Sequence, residues 1–307
     1  MPKQHSPSLF APRGWPLWCL LGVAWLIGRL PITWITAIGR QLGRSLYWLS
    51  GLTGASRRHI TDTNIELCFP ELSTAARAEL ARESFIHTVI GALEITQPWL
   101  NPRRDLRDRI TLHGVEHLQR AAAQGRGVLL IGGHFSTLDV VAQGVTAVVD
   151  LDVMYRRNRN PVWEWLQVRS RKRYFDGVIE REDTRQTLHR LKAGRIIWYA
   201  ADQDYGAKHS VFAAFFGIET ATINATARLA AFNQSPVIFM SNFRDLDTCT
   251  WSAHFTPVLD NYPSGDEVAD ATRINAIIEA AVREHPEQYL WMHRRFKTRP
   301  PGANKIY

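Results

Sequence analysis

Apolar and polar positions divide the chain into an apolar head and a longer body with α/β punctuation. Residues 15–30 read WPLWCLLGVAWLIGRL and carry one charge, Arg29, near the end. A stretch that is hydrophobic all round seeks lipid or a deep core. At 1.5 Å rise per residue it reaches only about 24 Å, so crossing a bilayer requires residues 31–38 to continue the span; otherwise it lies tilted in one leaflet. The pattern therefore predicts a tail over 1–14, an uncleaved membrane anchor over 15–38 and one body over 39–307. Trp15, Trp18, Trp25 and Trp34 suit an interfacial belt. Further along, a helix is expected over 73–99, with Ser73 as its cap. Strands are expected at 109–112, 127–131, 152–155, 177–179, 196–200, 236–241 and 250–255, with helical patterns between most of them. Parallel strands joined by helices collect ligands at their carboxyl ends.

Composition narrows the class. With 307 residues, 45% hydrophobic and 21% charged, the chain can bury a sizeable core, which excludes a disordered protein. Thirty-seven Lys and Arg stand against 29 Asp and Glu, and this excess points to an anionic partner. The arginines are spread over several elements rather than gathered on one recognised module, which argues against nucleic acid. Cys19, Cys68 and Cys249 offer no CxxC spacing for zinc or redox work. His113 and His117 are four apart but lack a third ligand, and there is neither a Walker loop nor a G-x-G-x-x-G after a strand. The chain is read as needing no metal and no cofactor.

The strongest local signal is GVLLIGGHFSTLDVV, a buried-looking strand ending in Gly132 and Gly133, then His134, then a helix start at Ser136 or Thr137. On one continuous helix His134 and Asp139 would sit about 140° apart, too far to pair. With His134 in the preceding turn, Asp139 can reach back, hold the Nδ1 proton and leave Nε2 free to deprotonate an alcohol. Free N–H groups at the helix start would favour an oxyanion. The bland alternative is a core histidine satisfied by a carboxylate. After the next strand, Arg156 and Arg157 with Asn158, Arg159 and Asn160 form a cluster of planar forks and amides suited to phosphate, or simply a solvated basic turn. Arg169, Arg171, Lys172 and Arg173 read equally as a basic docking surface or a solvated face.

Five blocks together resemble the late acyltransferases of lipid A biosynthesis, the lauroyl and myristoyl transferases with an H-x4-D/E motif. They are HFSTLD, RRHITDTNIELCFPEL at 57–72, YRRNRNP at 155–161, DQDYGAKHSVFAAFFG at 202–217 and QYLWMHRRFKTRPPG at 288–302. The resemblance implies a glycerolipid-acyltransferase-like α/β sheet flanked by helices. It implies an acyl carrier protein thioester as donor and a phosphorylated, Kdo-bearing lipid A precursor as acceptor. The place would be the cytoplasmic face of a bacterial inner membrane. Arg156 would help to hold an acceptor phosphate. Asp202 and Asp204 would accept sugar hydroxyls or order Lys208, while Phe212, Phe215 and Phe216 would line an acyl tunnel, unless they are simple core. Arg294, with Trp291, His293, Arg295 and Lys297, suits a headgroup boundary or a structural charge cluster. Ala201, Ala207, Ala213 and Ala214 stand where prolines or a Val-Pro pair are usual, so donor chain length is not inherited. The competing readings keep the chemistry with a glycerol phosphate, lysophospholipid or other glycolipid acceptor, or make the chain a non-enzymatic lipid-binding protein.

Overall fold

The computed structural model describes residues 9, 12–53, 56–101 and 103–307, so the expected 1–14 tail falls largely outside the described residues. The apolar head is not one helix. α1 (Trp15–Ile27) stops at Gly28, and α2 (Ile32–Thr53) begins after Pro31. Gly28 is pressed against the chain at Thr96, where a Cβ would sit 2.9 Å from the Thr96 carbonyl oxygen. Its own carbonyl accepts from Gln97 and Asn101, both at 3.0 Å. Proline then opens the new helix, where its missing N–H costs nothing. Among the described residues no helix is long and apolar enough to cross a membrane, so the expected 15–38 anchor helix is not supported.

α2 is two-faced. Ile32, Ile35, Thr36, Gly39 and Gly43 are buried on one side. The two glycines let α2 lie against Ile86 and Ile90 of α4 (Thr74–Glu94), whose atoms a Cβ at either glycine would meet. Its other side exposes Trp34, Leu42, Leu46, Trp48, Leu49 and Leu52. α3 (Ser56–Cys68) links the two helices, and Ser73 caps α4 by accepting from the Ala76 amide at 3.2 Å. The expected long helix ends at Glu94 and resumes as α5 (Thr96–Leu100).

The body is a seven-stranded sheet flanked by helices, as expected. Its strands are β1 (Ile110–His113), β2 (Val128–Gly132), β3 (Leu151–Tyr155), β4 (Gly177–Glu180), β5 (Ile196–Ala200), β8 (Val237–Asp245) and β9 (Thr250–Phe255), ordered β1-β9-β8-β2-β5-β3-β4. Within this sheet, among the described residues, only β8 and β9 pair antiparallel. β2 reads VLLIG and is buried throughout, as a central parallel strand covered on both faces requires. α6 (Val115–Ala122), α7 (Leu138–Val145), α8 (Pro161–Arg171), α9 (Thr184–Lys192), α10 (Ala225–Asn233) and α11 (Glu267–Glu284) complete the layers. An unforeseen hairpin, β6 (Ser210–Phe215) and β7 (Ile218–Ile223), stands apart from the sheet. Its turn puts Phe216 at φ 51 and Gly217 at φ 72. Two positive φ values suit a tight hairpin turn, but asparagine, not phenylalanine, is the usual first residue there.

Candidate active site

β2 and β5 are parallel neighbours with Gly132 opposite Ala200. Two residues beyond each strand, His134 and Asp202 therefore come side by side at the carboxyl edge of the sheet. The Asp202 carboxylate grips His134 at two points: Oδ2 accepts from the His134 backbone N–H at 2.7 Å, and Oδ1 accepts from Nδ1–H at 2.5 Å. The Tyr289 hydroxyl adds a smaller lowering influence on the Asp202 carboxyl. Burial alone would raise the Asp202 carboxyl, but the His134 charge and these hydrogen bonds hold it well below the usual carboxylate range. For His134, burial opposes protonation; the Asp202 charge and hydrogen bond outweigh it and leave the imidazole above its ordinary value, with Arg171 pulling the other way. The ring is fixed in the tautomer that exposes a lone pair on Nε2.

The loop bearing His134 is held from several sides. Its carbonyl accepts from the Leu290 amide at 3.0 Å, and the Ser136 amide donates to the Gln288 carbonyl at 3.1 Å. Asn242 donates to Thr137 Oγ1 at 2.6 Å, and Arg244 to Ser136 Oγ at 3.2 Å. Gly91 of α4 completes the seat, because any Cβ there would overlap the Ser136 carbonyl oxygen.

The His134 side chain is 32% exposed and opens onto a cleft of about 1330 Å³. Ile95, Leu138, Met154, Leu188, Leu229 and Phe232 supply apolar wall, and Arg156, Arg171, Arg181 and Arg228 supply cationic wall. A base at the junction of a greasy surface and an anion-binding one suits chemistry on the hydroxyl of an amphiphile.

Comparison with known proteins decides the family. Residues 2–298 match the bacterial lipid A biosynthesis acyltransferase family. The lipid A biosynthesis palmitoleoyltransferase of Escherichia coli (strain K12) is 35% identical over 305 residues, covering 99% of this chain and 98% of that protein. The lauroyltransferase of the same organism is 34% identical over 309 residues, 100% and 99% of the two chains. Its myristoyltransferase is 27% identical over 308 residues, 99% and 94%. The chain belongs to the bacterial lipid A biosynthesis acyltransferase family. It is an acyltransferase.

The acyltransferase corrects one pairing expected from its sequence. Asp139 does not hold His134. It sits at the start of α7 and accepts instead from Trp99 Nε1 at 3.2 Å and from Arg171 Nε and Nη2 at 3.2 and 3.4 Å. Both carboxylates flank the same histidine loop, but the one that reaches Nδ1 is brought by sheet register, not by proximity in sequence. The backbone amides of His134, Phe135 and Ser136 are also committed, to Asp202, the Gly133 carbonyl and the Gln288 carbonyl, so they do not serve as open oxyanion donors.

Of the other expected residues, Arg156 lines the cleft and is exposed. Arg157 is exposed but does not line it, and Asn160 spends its side-chain oxygen capping α8 at Val162 and Trp163. Lys208 sits on an exposed turn outside the cleft, and Arg294 stacks 5.9 Å over Tyr307. Phe212 is half-buried on β6, while Phe216 is packed in core against Phe69 and Trp291; neither lines the cleft beside His134. Asp202 clamps His134 rather than ordering Lys208, and Asp204 is tied to Thr298 and Gly206. Gln203, which sequence reasoning missed, lines the cleft, and so does Arg171, read from the sequence only as part of a basic surface.

Proposed function

We propose that this acyltransferase moves a fatty acyl chain from an acyl carrier protein thioester to a hydroxyl of a phosphorylated, Kdo-bearing lipid A precursor. His134 acts as general base, oriented by Asp202 in the place first given to Asp139. The observation that carries this is a doubly clamped imidazole whose Nε2 side faces a cleft lined by both apolar and cationic side chains. The acceptor oxygen loses its proton to Nε2 and attacks the thioester carbonyl; the carbon–sulfur bond then breaks, and the thiolate recovers the proton. Arg156 is available to the acceptor phosphate, and Asp139 keeps Arg171 extended into the same space. The acyl chain lies along Met154, Leu188, Leu229 and Phe232. At about 0.8 kcal/mol per methylene, a twelve-carbon chain offers on the order of 8 kcal/mol to such a wall.

The test incubates purified protein with acyl carrier thioesters of graded length and a phosphorylated lipid A precursor, and weighs the products. The precursor is expected to gain one acyl chain and keep its phosphate. No gain on this lipid, with gain on glycerol phosphate or a lysophospholipid, would overturn the acceptor. Leu229→Trp shortens the apolar wall and is expected to lower kcat/KM for the longest chain accepted by about tenfold or more, while sparing shorter ones.

Membrane attachment at the cytoplasmic face is proposed through a surface lying in the interface rather than through a span. Trp25 and Leu26 of α1 and Trp34, Leu42, Trp48 and Leu52 of α2 are all exposed, as apolar side chains seated in an interface would be. Wild-type protein is expected to float with anionic vesicles, and the Trp34→Ser/Trp48→Ser double variant to stay largely in the bottom fraction. Equal flotation of the two would remove these helices from the attachment site.

A further inference from the structure

Gln203 occupies the place that the acceptor hydroxyl has to reach. Its side-chain nitrogen lies 3.0 Å from His134 Nε2. Because Nδ1 carries the proton that Asp202 accepts, Nε2 presents a lone pair, so the group facing it is the amide NH2 and not the amide oxygen. The neighbours on either side are immobilised, Asp202 on His134 and Asp204 on Thr298 and Gly206. Gln203 itself is half-buried, lines the cleft and, among the described residues, makes no other hydrogen bond. The reaction also needs a donor for the oxygen of the tetrahedral intermediate, and the amides of His134, Phe135 and Ser136 are already spent.

We infer that Gln203 is a second catalytic side chain: its amide caps Nε2 in the resting cleft, yields that position to the acceptor hydroxyl, and then donates to the thioester oxygen as the carbonyl becomes tetrahedral. The inference rests on the reading of His134 as base. One N–H···N bond is exchanged for one N–H···O bond to a developing anion, which is the stronger of the two. The proton passes from the hydroxyl to Nε2 and on to the departing thiolate, so Gln203 neither gains nor loses one. Capping also keeps the lone pair from holding water until the acceptor arrives.

The experiment measures steady-state kinetics against pH for the full chain and its Gln203→Ala, Gln203→Glu and His134→Ala variants, with an acyl carrier thioester and a phosphorylated lipid A precursor. Gln203→Ala is expected to lower kcat by about 10²-fold with KM within about threefold, the signature of a lost transition-state donor. Gln203→Glu places an anion beside Nε2, favours the imidazolium, and should move the acid limb of kcat/KM to higher pH. A packing role alone would move neither kcat without KM nor that limb. Near-normal kcat in Gln203→Ala, or an unmoved limb in Gln203→Glu, with His134→Ala inactive, would overturn the inference and leave the base intact. Turnover surviving in His134→Ala would overturn both.

Discussion

His134→Ala is expected to lower kcat by about 10²- to 10⁴-fold, the range over which a positioned general base acts, while the protein stays folded. The ring is partly exposed and its backbone bonds to Asp202 and Leu290 persist without it, so circular dichroism and the unfolding midpoint should change little. Asp202→Asn is the sharper companion. Asp202 raises the His134 pKa, and a base works only when neutral, so wild-type kcat/KM should climb with pH and level off above the ordinary histidine value. Removing the anion lowers that pKa and moves the acid limb to lower pH. The plateau falls as well, because an amide no longer favours the tautomer with a free Nε2. Asp139→Asn should leave the position of the limb in place, since Asp139 contacts Arg171 and Trp99 and not the ring. A limb that follows Asp139 instead would restore the pairing first drawn from the sequence.

Glu94→Ala is expected to destabilise the fold by about 3–5 kcal/mol, the cost of leaving a buried cation without its partner. Glu94 and Arg244 are each 1% exposed at the side chain and pair through two bonds of 2.6 and 2.5 Å. The same guanidinium donates to His87 Nδ1 at 3.1 Å and to Ser136 Oγ at 3.2 Å, and the Arg244 backbone is bonded at both ends by Gln288. Burial, and then the Arg244 charge, push the His87 imidazole down to about 3, so it remains a neutral acceptor and offers that cation no compensation. Against a typical stability of about 5–15 kcal/mol, this loss is large. Urea unfolding measures it directly, and an unchanged midpoint in Glu94→Ala would show that the pair is not the strut described. Double replacement by Leu at 94 and Met at 244 should recover much of the stability yet not the activity, because Ser136 would lose its donor.

The sheet was readable because its strands are short apolar runs at loop spacing, and β5 and β9 were placed at their observed bounds. The histidine loop was readable too, since two glycines between an apolar strand and a helix start mark a break in regular structure. Its carboxylate partner was not. Asp139 is near in sequence and Asp202 is near only through the Gly132–Ala200 register, which periodicity does not encode. The hairpin escaped because Phe216–Gly217 carries no ordinary turn signal, and without it the choice between lining and core for Phe216 stayed open. The single anchor helix over 15–38 is not found for a tertiary reason: Gly28 docks on the backbone at Thr96, and one long apolar stretch becomes two helices.

The backbone bonds from Gln288 and Leu290 to the histidine loop have a temporal meaning. That latch lies far downstream of the strand it secures, so during synthesis the turn bearing the imidazole lacks it until residues 288–290 emerge. A nascent or prematurely terminated polypeptide ending before Gln288 would already display its greasy N-terminal helices, yet lack a set catalytic base. The histidine loop would then be secured late, after both apolar helices have already been made.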